Sequence, residues 1–355
     1  MARNQYLFAT EYNRKPHHVF RNFFLALLIL CLMGFLVNVV YNYNLQYIRV
    51  PVTVSNLSGE MENFSILHLS DLHGRSGMGA PIEKALAGRS YSCVVMTGDM
   101  LGPGGDTAGL LDVLEHLPGD IPWLMIPGDE DPDYLDPLSH AGVTAYADWA
   151  QTLIDHGVII LDEPYLMTRG SKGQSRIWFV PAELYSLNLE ALSATYEGVL
   201  GRLPSGSLTA DQAAQRRVAE YQIARAARIQ QTVKTMLADD IQVAVTHMPL
   251  TTELSEMFIG WKSASDVFSL RQVSLVMAGH YCAGQWRIPG STAIYVPEKG
   301  WFPQDEGIVG KQYIGRIPQY ISPGLSASGA YPFMPFRLFN APVVSSLELT
   351  QKLVQ

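Results

Sequence analysis

Cysteine is scarce in this chain: three in 355 residues, Cys31, Cys93 and Cys282. Cys31 lies in an apolar N-terminal run and Cys93 opens an apolar strand-like segment. Neither belongs to a disulfide framework of the kind that staples small secreted domains. Basic residues are also short, 25 Lys and Arg against 33 Asp and Glu, for a net charge of −8. That balance excludes broad nucleic-acid binding, which needs a cationic face, but leaves room for a small metal-filled pocket. Charged residues make up only 16% of the chain against 48% hydrophobic, as expected of a globular core joined to a membrane segment. No repeat and no low-complexity tract is present.

The one long apolar run is FFLALLILCLMGFLVNVV, residues 23 to 40. At 1.5 Å per residue it reaches roughly 27 Å, close to a bilayer core. Arg3, Arg14, Lys15 and Arg21 precede it and no basic residue follows until Arg49. The positive-inside rule then places residues 1–22 in the cytoplasm, the anchor at 23–42 and the remainder outside the cell membrane as a single-pass protein. Tyr41, Tyr43 and Tyr47 are expected at the headgroup level. A cleaved signal peptide is disfavoured because no small-x-small site follows; the next residues are YNYNLQ. A buried core helix is disfavoured by the basic flank and the unbroken apolar run.

From Ser65 onward short apolar runs end in Gly, Asp or His. SILHLSDLH, SCVVMTGD, WLMIPGD, GVIILDE, RIWFVPAE, IQVAVTH and SLVMAGH each predict a buried strand. Residues 80–88 and 107–117 predict helices between them, so the fold class is α/β, with central sheets and outer helices. Residues 187–239 break this rhythm and predict two helices. Thr209 followed by Gln212 is a capping signal. Ala219, Ile223, Ala226, Ile229, Val233 and Met236 form one apolar stripe, with Arg217, Arg225 and Arg228 expected on the opposite, solvated face. A sharper alternative makes this insertion a cap whose arginines meet phosphate.

Five polar segments close these strands. They are Asp71-Leu72-His73, Gly98-Asp99, Gly128-Asp129-Glu130-Asp131, His247, and Gly279-His280-Tyr281-Cys282. Carboxylates and imidazoles at strand ends suit divalent metals, and ligands of open α/β sheets gather at carboxyl ends of strands. Each segment alone is a weak signal; the ordered set is specific.

In order and context the set resembles the calcineurin-like metallophosphoesterases, whose pattern is D-x-H, G-D, G-N-H-[DE], H and G-H-x-H. The resemblance covers residues 62–349. It extends into the tail, where GQWRIP, AIYVPEKGWFP and ISPGLSASGAYPFMPFRLFNAPVVSSLEL look like a membrane-associated bacterial phosphodiesterase branch. It implies a four-layer αββα sandwich behind one transmembrane helix, with the helical insertion at about 187–239. It also implies two divalent transition-metal ions (Zn, Fe or Mn). Asp99 would bridge them, Asp71, His73 and Cys282 would complete one side, and Asp129, His247 and His280 the other. The implied activity is hydrolysis of an extracytoplasmic phosphodiester or lipid-linked phosphate by two-metal activation of water.

Three residues depart from the pattern. Asp129 replaces Asn, Glu130 replaces the His thought to assist the leaving group, and Cys282 replaces His; Ala283 also replaces a usual Gly. Asp and Cys remain metal-competent, and a thiolate favours softer ions such as zinc or iron. The added negative charge raises metal affinity but weakens Lewis acidity. Glu130, with Asp131 beside it, is the expected catalytic position, and Glu130 would donate a proton only if its surroundings raise its pKa. The alternative function is a weakened, phosphoesterase-fold pseudoenzyme serving as a binding or metal-sensing module, with Cys282 as a redox-sensitive ligand. Tyr281, Trp286, Arg287 and Trp301 are candidates for lining the pocket.

Overall fold

The computed structural model describes residues 18–55, 57–135, 145–170, 175–260, 267–331 and 333–351. Strands β1 (Gln46–Thr53), β2 (Ser65–Leu69), β3 (Cys93–Met96), β4 (Trp123–Met125) and β5 (Val158–Ile160) lie in one sheet. A second sheet holds β6 (Tyr165–Arg169), β7 (Ser175–Pro181), β8 (Ile241–Val245) and β9 (Val273–Ala278). A short hairpin follows, β10 (Tyr295–Val296) and β11 (Gly300–Trp301). The tail then adds β12 (Gly310–Ile314) and β13 (Ile317–Ile321) to the second sheet and β14 (Val343–Thr350) to the first. The strand orders are β1-β14-β2-β3-β4-β5 and β12-β13-β9-β8-β7-β6.

The helices are α1 (Val19–Tyr43), α2 (Gly79–Leu86), α3 (Ala108–His116), α4 (Asp148–Asp155), α5 (Leu189–Arg202), α6 (Ala210–Val233) and α7 (Thr252–Gly260). Three apolar clusters show four layers. Ile66, Val95 and Leu124 of the first sheet meet Phe179, Val243 and Leu275 of the second in a central core. Leu67, Val94 and Trp123 point the other way, onto Ile82, Leu110, Val113 and Leu153 of α2, α3 and α4. Trp178, Ala244 and Val276 face outward onto Ile229, Leu250 and Leu270. Because β2, β3, β8 and β9 are covered on both faces, alternate residues serve different cores and both sets are apolar. This explains the unbroken runs CVVM and IQVAV.

The structure adds β1, which the sequence pattern does not announce. It pairs along β14 from Gln46↔Val343 to Thr53↔Thr350 and carries the folded unit back from residue 62 to residue 46. Tyr47, expected at the headgroup level, belongs to this strand: it packs against the first outer core and under the Arg89 guanidinium.

The insertion forms α5 and α6, and the Thr209/Gln212 capping box is present. Ala219, Ala226, Ile229 and Met236 are buried as expected. Arg225 is not on a solvated face. It is 4% exposed, donates twice to the Asp162 carbonyl (2.8 and 2.6 Å) and pairs with Glu183 at 3.3 Å. Arg225 lies one turn before Ile229, so it borders the apolar stripe. Carboxylates from the loops after β5 and β7 meet it there.

Candidate metal centre

Strands β2, β3, β4 and β5 run parallel in the first sheet, and β7, β8 and β9 in the second. Their carboxyl ends therefore share one edge, and all five polar segments fall on it. The connecting backbones interlock: Asp71 N donates to Gly98 O (3.1 Å), His73 N to Asp99 O (2.8 Å) and Gly279 N to His247 O (2.9 Å). Asp71, His73, Asp99, His280 and Cys282 all have positive φ, between 47° and 81°. Such left-handed residues cost about 1–3 kcal/mol each and persist where the surroundings overdetermine them. Gly128 and Gly279 permit the close approach. A Cβ on the first would sit 2.0 Å from Asp99 Oδ1, and on the second 1.9 Å from Ser70 Oγ.

All seven expected ligands come together. One donor atom each from Asp71, His73 and Cys282 lies within 4.8 Å of the others, and the same holds for Asp129, His247 and His280. Asp99 joins Asp71 and His247 in a third such group, and His73 and Glu130 in a fourth. It therefore stands between the two sides. His247 Nε2 is 2.7 Å from Asp129 and 3.2 Å from Asp99, while its Nδ1 donates to Thr97 O at 2.6 Å. That backbone bond leaves Nε2 turned inward for ligation. His280 turns Nδ1 toward Asp129 (3.0 Å) and Nε2 toward Glu298 (3.3 Å). Cys282 Sγ lies 3.6 Å from His73 Nε2, and its carbonyl accepts Asn340 Nδ2 at 2.9 Å.

The charge pattern favours cations. Burial opposes protonation of His73, but hydrogen bonds to Cys282 and Glu130 push its pKa up to about 11. His247 and His280 are also raised, against burial, chiefly by Asp129. Asp129 is held far below the carboxylate range by those two imidazoles. Burial raises both Asp71 and Cys282. Asp71 Oδ2 is buried and meets no partner in hydrogen-bonding geometry among the described residues. A buried carboxylate oxygen left so is costly unless it binds a cation. With imidazole, thiolate and carboxylate donors around it, this set fits divalent transition metals.

Glu130 and Asp131 are placed differently from each other and from expectation. Glu130 pairs with His73 Nδ1 at 3.3 Å and accepts the Ser328 hydroxyl, and the His73 bond pulls its pKa down to about 2. Its bonds to His73 and Ser328 favour its anionic form. Asp131 is 8% exposed, and its carboxylate accepts the backbone amides of Leu101 (2.9 Å), Gly128 (2.9 Å) and Met100 (3.3 Å). It ties the loop after β4 to the loop after β3 and does not belong to the ligand groups.

Two openings reach the centre. One is a pocket of about 90 Å³ lined by Asp129, Glu130, His280, Tyr281, Glu298 and Tyr331, among others. The other is a groove of about 350 Å³ running from Asp129 and His247 to Tyr134, Asp162 and Glu183. The insertion's arginines do not present free charge there: Arg225 meets Asp162 and Glu183, and Arg228 meets Glu163. Tyr281 lines the pocket and donates to Glu298. Arg287 is instead paired with Asp305, and Trp286 packs on Phe336. Sequence reasoning missed Glu298, Ser328 and Asn340. They lie in irregular tail segments with no periodicity to mark them.

A family model for the calcineurin-like phosphoesterases matches residues 64–283. No curated protein matches the sequence. Among solved structures, the chain is similar to a phosphopantetheinyl hydrolase from Mycobacterium tuberculosis. The identity is 15% and the TM-score 0.35, covering 78% of this chain and 96% of that one.

Proposed function

Because this chain belongs to the calcineurin-like phosphoesterase family, we propose that it is a membrane-anchored, metal-dependent hydrolase of a phosphodiester or lipid-linked phosphate outside the cytoplasm. One observation carries the two-site reading: Asp99 stands in donor distance of groups on both sides, Asp71 with His247 and His73 with Glu130. Asp71, His73 and Cys282 would hold one zinc, iron or manganese ion, and Asp129, His247 and His280 the other, with Asp99 common to both. Such a pair supplies Lewis acidity and water of lowered pKa for in-line attack on a phosphate ester.

The protein's own contribution is orientation. Thr97 O holds His247 and Glu298 holds His280, each through the ring nitrogen opposite the one that faces Asp129, and Glu130 holds His73 through Nδ1, with Nε2 toward Cys282. Asn340 fixes the Cys282 backbone. The anchor is α1, in which an 18-residue stretch has a mean hydropathy of 2.8 and stands almost wholly outside the folded domain. Basic residues before the apolar run at 23–40, Arg21 the last of them, and none after it until Arg49 support an extracytoplasmic domain.

Metal analysis of the purified full chain tests this reading. We expect two equivalents of transition metal and turnover of bis(4-nitrophenyl) phosphate that is lost in Asp99→Asn. Full loading without any turnover would instead support a binding or sensing module. Absence of bound metal after exposure to zinc, iron and manganese would refute the two-metal centre.

A further inference from the structure

Among the described residues outside α1, ten large hydrophobic side chains are exposed, and five come from one part of the tail: Ile288, Trp301, Phe302, Phe333 and Phe336. The aromatic ones touch one another or a further ring. Trp301 stacks on Phe333 at 6.3 Å and 11°, Tyr295 meets both rings at 5.0 and 5.6 Å, and Phe302 meets Trp301 at 6.3 Å. Phe336 packs on Trp286 at 5.3 Å. Backbone bonds from Ile294 N to Trp286 O and from Phe302 N to Ile294 O join the two groups into one strip. Trp301, Phe302 and Phe333 keep 61%, 58% and 54% of their surface in solvent. An exposed apolar patch of this kind marks an interaction surface.

The strip is continuous with the end of α1. Asn38 Nδ2 and Asn42 Nδ2 donate to the carbonyl of Arg337, next to Phe336, at 3.1 and 2.8 Å. Phe339 N donates to Asn38 Oδ1 at 2.8 Å, and the Phe339 ring meets Tyr41. The last turns of α1 are thus clamped to segment 336–339. A helix of this length runs roughly 37 Å and exceeds a hydrocarbon core of roughly 30 Å. With Arg21 at one interface, residues 38–43 and the clamped segment lie at the other. Trp and Tyr are the side chains enriched at that level.

We propose that this aromatic strip rests in the headgroup layer of the same bilayer that holds α1, so that the metal centre opens at the membrane surface onto phosphates carried by lipids. The pocket wall supports this placement. Pro297 and Glu298 follow Tyr295 by two and three residues, and Ser328, Ala330 and Tyr331 precede Phe333, so the strip and part of the pocket's lining come from the same two tail segments. The proposal rests on the reading of α1 as a membrane span and of the centre as a phosphoesterase.

The test uses intrinsic fluorescence of the full chain in phosphatidylcholine vesicles whose acyl chains carry bromine near the headgroup. Helix α1 contains no tryptophan, Trp123, Trp149 and Trp178 are buried in the domain, and Trp261 is changed to Phe in every protein compared. We expect brominated vesicles to reduce tryptophan emission relative to unbrominated ones, and the reduction to vanish in the double variant Trp286→Phe/Trp301→Phe. No quenching in the parent protein, or undiminished quenching in the variant, overturns the proposal. So does a strip that instead joins two copies, seen as a dimer in detergent that Trp301→Ser/Phe302→Ser converts to monomer. In a Phe302→Ser/Phe336→Ser variant, at strip residues that do not line the pocket, hydrolysis of a phosphodiester-bearing lipid should fall severalfold while hydrolysis of soluble bis(4-nitrophenyl) phosphate is unchanged. An equal fall in both assigns the strip to the fold and overturns the proposal. Quenching is read without turnover, so an inactive protein refutes the hydrolase reading separately. Release of the protein by alkaline carbonate refutes the span reading separately.

Discussion

Cys282 carries the sharpest consequence of the departures from the family pattern. It is fully buried against His73 and adds a thiolate to a centre that already holds Asp71, Asp99 and Asp129. Extra negative charge offsets a metal's own charge and weakens its pull on water. Cys282→His should therefore raise turnover per loaded site, on the order of ten-fold, equivalent to about 1.4 kcal/mol. An unchanged or lower kcat at verified metal loading would count against the charge argument. Asp131 gives the opposite kind of test. Asp131→Ala strands three backbone amides, so it should cost about 2–4 kcal/mol in urea unfolding. His68 offers a pH test away from the ligands. Burial lowers its pKa to about 3, below its ordinary 6.5, and Nε2 bonds Thr97 Oγ1 at 2.8 Å. The neutral ring is thus favoured in the fold. Its contribution is complete above pH 6.5 and declines as pH falls toward 3, by about 1.4 kcal/mol per unit. In His68→Gln the loss of stability between pH 6.5 and 4 should be correspondingly shallower by equilibrium denaturation. Strand-end ligands were legible in the sequence because each follows an apolar run. Their left-handed backbones and the anionic pairing of Glu130 were not, since both arise only when segments distant in sequence meet.

At the scale of elements, the strands that sequence patterning finds have largely unbroken apolar runs, whereas the buried β13 and β14 were missed because IPQYI and VVSSLELT mix Pro, Gln, Ser and Glu into theirs. Strands β1, β6 and β12 each carry charged or exposed positions, and β10 and β11 are only two residues long, so their apolar pattern is weak. Helix α6 was legible in its cap and its stripe, but not in its tie to the rest of the domain. Arg225 makes that tie, with Tyr221 donating to Asp162 beside it. Removing one partner of a buried pair leaves the other uncompensated, at about 3–5 kcal/mol. Arg225→Met should therefore destabilise the domain by that order, while Arg228→Met, at an exposed pair with Glu163, should change it by less than about 1 kcal/mol. Denaturation midpoints of the two variants decide the matter; equal effects would mean that Arg225 is not the clamp.

On the scale of the whole molecule, β1 and β14 close the first sheet from opposite ends of the domain. The residues just after α1 thus join the sheet, as its edge strand, only when β14 arrives. About 290 residues separate the two strands, roughly 15–60 s of synthesis at 5–20 residues per second. During that interval β1 is unpaired, and β2 lacks its outer neighbour. Pro51 and the Arg49 charge, which later pairs with Glu348, blunt β1 against pairing with the wrong chain. A chain truncated after Ala341 should keep its hydropathic anchor yet remain protease-sensitive throughout the first sheet, as limited proteolysis would read. Synthesis of this chain is therefore also its folding clock: the domain waits on β14 before its first strand has a place.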